Sequence, residues 1–417
     1  MTAREQVLDT TQRAGDAVGT QTAREGRGTP VSAWSAGWSA SVQRPSIGFE
    51  ENWSETGFAD QSVRQTVRVT SSGTAARIRL SNRYGERPLR IAGATLALAG
   101  EGKDGVVQPG TLRQLTFGGK AEVTIPAGGE VVSDEAAIVV DRFASLTVSL
   151  HFAEASGPVT FHAQAYASSH RATGNHIADL DGAAYTEHTN SWYVLSDIEL
   201  TGGPEEPQTV VAFGDSITDG FGSTGDTDRR YPDALAERLA AAGVPYAVLN
   251  AGIGGNLVLN DSLWFGEAAP ARFERDVLDK PGVRSVIVLA GLNDIGFSEI
   301  DLPTFKPNPD VSAEQLIVGY RDLIERAHAR GIKVVGATIL PFKGADYHNE
   351  RAEAKREAVN HWIRTSGAFD AVADFAAALA SPTDAQLLNP AYDYGDFKHP
   401  NDAGYRVMAE AIDIDAL

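Results

Sequence analysis

The chain has 417 residues, 55 Asp and Glu against 36 Lys and Arg, a net charge of −19 and no cysteine. That length suggests two domains rather than one. The charge argues against nucleic acid and anionic membrane surfaces as partners, since both attract positive patches. The lack of cysteine excludes disulfides, thiol catalysis and cysteine-ligated metals. No run is long and apolar enough for a transmembrane span. The opening Met1-Thr2-Ala3-Arg4-Glu5-Gln6 starts no apolar stretch of the signal-peptide kind. The expected location is cytoplasmic for the sequence as written, and secreted if a leader has been removed.

In chain order, residues 1–29 are polar, carry Gly and Thr, and read as an N-terminal arm, either disordered or a helix packed on the surface. Residues 30–203 are poor in helical pattern. Short strand-like stretches recur at 62–70, 75–81, 89–99, 121–126, 146–152 and 159–167, separated by joints such as Ser71-Ser72-Gly73 and Pro126-Ala127-Gly128-Gly129. Several alternate apolar with polar residues, as in Thr147-Val148-Ser149-Leu150-His151-Phe152. Many short strands at this spacing predict an all-β, jelly-roll-type sandwich. Trp34, Trp38 and Trp53 near its start offer an aromatic sugar platform or, as the favoured reading, core and rim packing. Gly202-Gly203-Pro204-Glu205-Glu206-Pro207 then marks a linker, placed at 204–208.

From 209 to 417 the pattern changes. Apolar, β-branched runs at 210–213, 247–250, 285–290 and 334–340 alternate with helical patterns at 232–242, 271–278 and 313–330. Such alternation predicts a parallel sheet covered on both faces. Ligands of these sheets bind beyond the carboxyl ends of the strands. Ser216, Gly255 and Asn293 each follow one of the runs by a few residues, so all three should meet at that edge.

A serine just past a buried strand is a candidate nucleophile, but its hydroxyl needs an adjacent base. His399 is the candidate base, and it needs an acceptor on its other ring nitrogen to hold one tautomer. Asp396 lies three residues earlier, so one loop can deliver both. Pro400 biases His399 toward extended backbone, and Asn401 or Asp402 can cap a closing helix at 403–412. Asp215 is expected to brace the loop rather than to act chemically.

Four stretches in order, Gly214-Asp215-Ser216-Ile217-Thr218, Asn250-Ala251-Gly252-Ile253-Gly254-Gly255-Asn256, Gly291-Leu292-Asn293-Asp294 and Asp396-Phe397-Lys398-His399, together resemble the SGNH (GDSL-type) family of serine esterases and lipases. The resemblance implies a flavodoxin-like three-layer α/β/α hydrolase domain with a parallel sheet. It implies a catalytic triad of Ser216, His399 and Asp396. It assigns the oxyanion donors to the backbone N–H groups of Ser216 and Gly255 and the side-chain amide of Asn293. Some bacterial members of the family also carry an N-terminal β-sandwich.

Competing motifs fail. Gly220-Phe221-Gly222-Ser223-Thr224-Gly225 fits the dinucleotide pattern, but it does not directly open a helix after a strand. The α/β-hydrolase elbow needs a glycine where Thr218 stands. The spacing of His162, His170 and His176 fits no common metal site, so no metal and no cofactor is expected. The expected activity is carboxylic ester hydrolysis through an acyl-enzyme, on short-chain acyl or acetyl esters, including those of carbohydrates. An acyltransferase with the same triad, and a carbohydrate-binding protein with an inert hydrolase domain, are the alternatives. The expected partner is a small-molecule or carbohydrate ester; the oligomeric state is left open. Phe221, Trp264, Phe265 and Phe342 are candidates for the pocket rim.

Overall fold

A computed structural model describes residues 33–417 apart from 103, 104, 205 and 207. The arm expected at 1–29, and part of the linker expected at 204–208, lie outside the described residues. Ala33–Leu417 forms one compact unit.

The first half holds two antiparallel sheets. One runs in the order Ser35–Ser39, Leu195–Thr201, Gly73–Ser81, Glu130–Val132, with Ala136–Val140 also paired to Gly73–Ser81. The other runs Glu187–Thr189, Ser169–Thr173, Gln61–Arg68, Ser145–Phe152, Gly93–Leu98, Arg113–Gln114. Alternate residues of these strands point inward. Val63, Val67, Leu146, Val148 and Leu150 from one sheet meet Ile78, Leu80, Ile198 and Leu200 from the other in a single buried core. The period-2 pattern of the sequence is this core. Trp53 is buried and stacks on Tyr193, with ring centroids 5.4 Å apart. Trp38 meets Trp192 edge-on at 4.8 Å, and the Arg77 guanidinium lies 4.1 Å from the Trp34 ring. Trp53 lies in the core, while Trp34 and Trp38 are half-buried against neighbouring side chains.

The second half holds a five-stranded parallel sheet, ordered Ala247–Gly252, Thr209–Gly214, Val283–Leu289, Lys333–Ala337, Ala371–Ala373. Its helices are α1 (Ser216–Asp219), α2 (Tyr231–Ala241), α3 (Ala269–Phe273, continued by a π-helical turn, Glu274–Leu278), α4 (Leu292–Phe297), α5 (Ala313–His328), α6 (Glu350–Thr365), α7 (Phe375–Leu379) and α8 (Asp402–Glu410). The central strand Thr209–Gly214 is buried at every residue, which explains its unbroken apolar text. Helix α6 had no visible apolar periodicity, because half of its buried stripe is polar. Arg356 donates to both carboxylate oxygens of Glu353 at 3.0 and 2.6 Å, and Asn360 bonds the backbone N–H and carbonyl of Ile339 at 2.7 and 2.8 Å.

The two halves share buried contacts. Ala247–Gly252 is an edge strand of the parallel sheet, and open edges invite unwanted pairing. Here the Thr70 hydroxyl covers the edge: it donates to the Val248 carbonyl at 2.9 Å and accepts the Val248 N–H at 3.0 Å. Ala36 is counted within the apolar core of the α/β half. Among the described residues no helix is long and apolar enough to cross a membrane.

Candidate active site

The central strand ends at Gly214 and α1 begins at Ser216. Asp215 makes this abrupt turn possible: its carboxylate accepts the Ile217 N–H at 3.1 Å and caps the helix. Burial pushes the Asp215 carboxyl up to about 7, against the pull of that N–H. This is the bracing part expected of it. Ser216 stands at the carboxyl edge of the sheet, where the topology directs ligands.

The loop before α8 brings two more groups to the serine. His399 Nε2 lies 2.7 Å from Ser216 Oγ, and His399 Nδ1 lies 2.6 Å from Asp396 Oδ2. The second Asp396 oxygen accepts the N–H groups of Lys398 at 3.2 Å and His399 at 3.0 Å, so the carboxylate is fixed from both sides. Burial favours the neutral form of Asp396, but the His399 ring and these two N–H groups outweigh it and hold the carboxyl at about 2. Burial is the largest influence on His399 and lowers its pKa below the usual imidazole value, with Asp396 opposing. A neutral imidazole beside a serine hydroxyl results. Asn401 caps α8 through the N–H groups of Ala403 and Gly404, each at 3.0 Å, which anchors the loop from behind. The Phe221 ring packs 4.3 Å from the His399 ring, and Tyr394 packs on Phe221 at 5.4 Å. The Gly220–Gly225 run therefore forms a wall beside the histidine. It follows helix α1, which fits no dinucleotide loop.

The three donors expected from the sequence each follow a strand of the parallel sheet. Neither the Ser216 N–H nor the Gly255 N–H has an acceptor among the described residues. Gly255 has φ +75°, and a Cβ there would lie 2.4 Å from the Phe265 ring, so both backbone and space demand glycine. Gly291, with φ +106°, turns the chain into α4 and puts Asn293 in its first turn. One N–H of the Asn293 amide donates to the Asn256 carbonyl at 3.1 Å, which leaves the other for a ligand. Hydrogen bonds thus join Ser216, His399 and Asp396, and Asn293 is bonded to Asn256, the residue after Gly255.

Beneath them are groups that the sequence did not single out. Arg272 is fully buried and donates to the carbonyls of Gly214 and Ala251, each at 2.8 Å, and to Asn256 Oδ1 at 2.9 Å. It also reaches Asp276 at 3.1 Å and Ser41 Oγ at 3.2 Å. One guanidinium therefore ties together the ends of two strands and the loop that supports Asn293. Asp294 accepts the N–H groups of Val258 and Leu259 at 2.9 Å, and burial pushes its carboxyl up to about 6. Asp294 and Asn256 lie inside stretches already quoted. Nothing marks Arg272, one of four charged residues in the helical pattern 271–278. The expected rim needs one correction. Phe342 is 0% exposed and belongs to the apolar core, because the chain beyond Ala337 turns inward rather than forming a rim. Phe265 is also buried, but as the wall behind Gly255.

Residues 212–407 match the GDSL-like lipase/acylhydrolase family, and this half of the chain belongs to it as an ester hydrolase domain. No curated protein matches the chain. Among solved structures, a putative lipolytic protein of the G-D-S-L family from Desulfitobacterium hafniense DCB-2 is 23% identical, with 49% of this chain and 97% of that one covered and a TM-score of 0.37. A putative acylhydrolase from Bacteroides fragilis is 22% identical over 51% of this chain and 88% of that one, with a TM-score of 0.38. An acetylxylan esterase from Geobacillus stearothermophilus is 25% identical over 49% of this chain and 92% of that one, with a TM-score of 0.37.

Proposed function

We propose that residues 209–417 are the catalytic domain of a serine esterase and that residues 30–203 are an accessory sandwich. The observation that carries this reading is the unbroken chain from Ser216 Oγ to His399 Nε2 at 2.7 Å and from His399 Nδ1 to Asp396 at 2.6 Å. Ser216 Oγ attacks the ester carbonyl and passes its proton to His399 Nε2. The negative oxygen that forms is met by the N–H groups of Ser216 and Gly255 and by the Asn293 amide. His399 then gives its proton to the departing alkoxide, which leaves as an alcohol with the acyl group on Ser216. Water adds to the acyl-enzyme as His399 takes one of its protons. Collapse returns that proton to Ser216 and releases the acid.

The substrate we favour carries a short acyl group. The wall behind Gly255 is filled by aromatic rings: Phe49 against Phe265 at 5.5 Å, Phe265 against Phe297 at 5.3 Å and Phe297 against Phe305 at 4.1 Å. Rings packed this closely favour a small acyl group on that side. Initial rates on p-nitrophenyl esters from acetate to palmitate test this, with added alcohol to separate transfer from hydrolysis. The fastest turnover is expected at acetate to butyrate, with free acid as the product. An optimum at palmitate would overturn the short-acyl reading, and an acyl-alcohol product would replace hydrolysis with transfer.

A further inference from the structure

The segment 161–166 of the β-rich half, which begins as the strand Phe161–His162, passes the turn that carries Gly254. Three alternate residues of this segment reach the hydrolase half. His162 meets Asp219, Gln164 meets Gly254, and the Tyr166 ring meets Phe221 at 6.3 Å.

The His162 contact is the most constrained. Its ring is buried, with Nδ1 2.8 Å from the Ser41 carbonyl and Nε2 3.0 Å from Asp219 Oδ1. A carbonyl and a carboxylate only accept, so each ring nitrogen faces an acceptor and the ring fits as the doubly protonated cation. The burial penalty is the largest influence on the ring and lowers its pKa, but Asp219 and the neighbouring carbonyls together outweigh it and raise it.

Asp219 continues the chain of contacts. Its second oxygen accepts the Gly254 N–H at 3.1 Å. It is also the last residue of α1, the helix that Ser216 opens. The Asn250 amide ties the same helix to the neighbouring strand by donating to the carbonyls of Thr218 at 2.9 Å and Asp219 at 3.2 Å. From the other side Gln164 presses on Gly254: a Cβ there would lie 1.6 Å from Gln164 Oε1. Gly254 immediately precedes the glycine whose N–H faces the oxyanion.

From this geometry we infer that His162 is a positioning residue: it holds the Asp219 carboxylate, which fixes the Gly254 N–H and thereby aims the Gly255 N–H at the oxyanion. The β-rich half is then part of the catalytic apparatus. The inference rests on the reading of Ser216, Gly255 and Asn293 given above. Without His162, the buried Asp219 carboxylate keeps only the Gly254 N–H as a hydrogen-bond donor among the described residues, so the turn loosens.

The test uses the full chain and p-nitrophenyl acetate, with kcat expressed per active site titrated by a fluorophosphonate and Ser216→Ala as the blank. His162→Ala is expected to lower kcat per labelled site by about 10- to 100-fold with KM within about threefold, part of the loss of a whole oxyanion donor. His162→Gln, whose amide nitrogen stands near the position of Nε2, is expected to recover most of that loss. Asp219→Asn, which keeps the shape, is expected to lower kcat per site without moving KM. A His162→Ala enzyme that melts earlier yet keeps wild-type kcat per labelled site overturns the inference. So does an Asp219→Asn enzyme with unchanged kcat, or a glutamine variant no better than alanine. A Ser216→Ala protein that still labels and turns over would instead overturn the underlying reading.

Discussion

Asn293→Ala removes one oxyanion donor and little else. Asn293 is 5% exposed, and Ser216 and His399 are each 8% exposed. In so dry a site a hydrogen bond to a developing negative charge is far stronger than in water. Loss of one such donor costs on the order of 10²–10³ in kcat, about 2.7–4 kcal/mol. The bond to the Asn256 carbonyl at 3.1 Å is lost as well. That leaves a buried acceptor unpaired and costs about 1–3 kcal/mol of stability. The two effects separate experimentally. Steady-state kinetics on p-nitrophenyl acetate should show the fall in kcat with KM nearly unchanged, because the donor acts on the transition state rather than on the bound ester. Thermal unfolding should report the modest stability loss. A kcat within about threefold of wild type, or an effect confined to KM, would remove Asn293 from the oxyanion site.

Two other perturbations probe the same assembly. The active form of His399 is neutral, and burial lowers its pKa, so acidification should protonate it only below the usual imidazole range of about 6.5. The kcat/KM profile should therefore keep its plateau down to that value and fall beneath it, while Asp396, at about 2, stays ionised throughout; an acid limb above pH 6.5, or none down to pH 4, would contradict His399 as the base. Arg272→Met should destabilise the chain by about 3–5 kcal/mol, since it breaks a buried pair and removes one donor from each of two strand-end carbonyls. Urea unfolding would show this as a lower midpoint, and an unchanged midpoint would count against the anchoring part given to Arg272.

How far the sequence could be read depended on whether function sat in local text. Ser216, Gly255, Asn293 and His399 each follow a buried strand or precede a helix within a few residues, so topology agreed with the edge position, while the choice of Gly255 came from the family resemblance. Asp396 and His399 share one loop, and their contact needed no long-range information. Arg272 and His162 were illegible for the opposite reason. Their partners are distant in sequence, Gly214 for Arg272 and Asp219 for His162, and nothing near either residue marks the pairing. Helix α6 escaped because its buried face carries Glu353, Arg356 and Asn360, which pair with one another or with backbone and break the apolar period. Phe342 was misplaced because a rim ring and a core ring look alike in text.

The most direct measurement compares wild type with Ser216→Ala for p-nitrophenyl acetate turnover and for covalent labelling by a fluorophosphonate. The alanine protein should lose at least about a thousandfold in kcat, because nucleophile and base act as a unit. It should also take up no label, while the wild type takes one per chain at Ser216. Turnover or labelling that survives in Ser216→Ala would contradict the account.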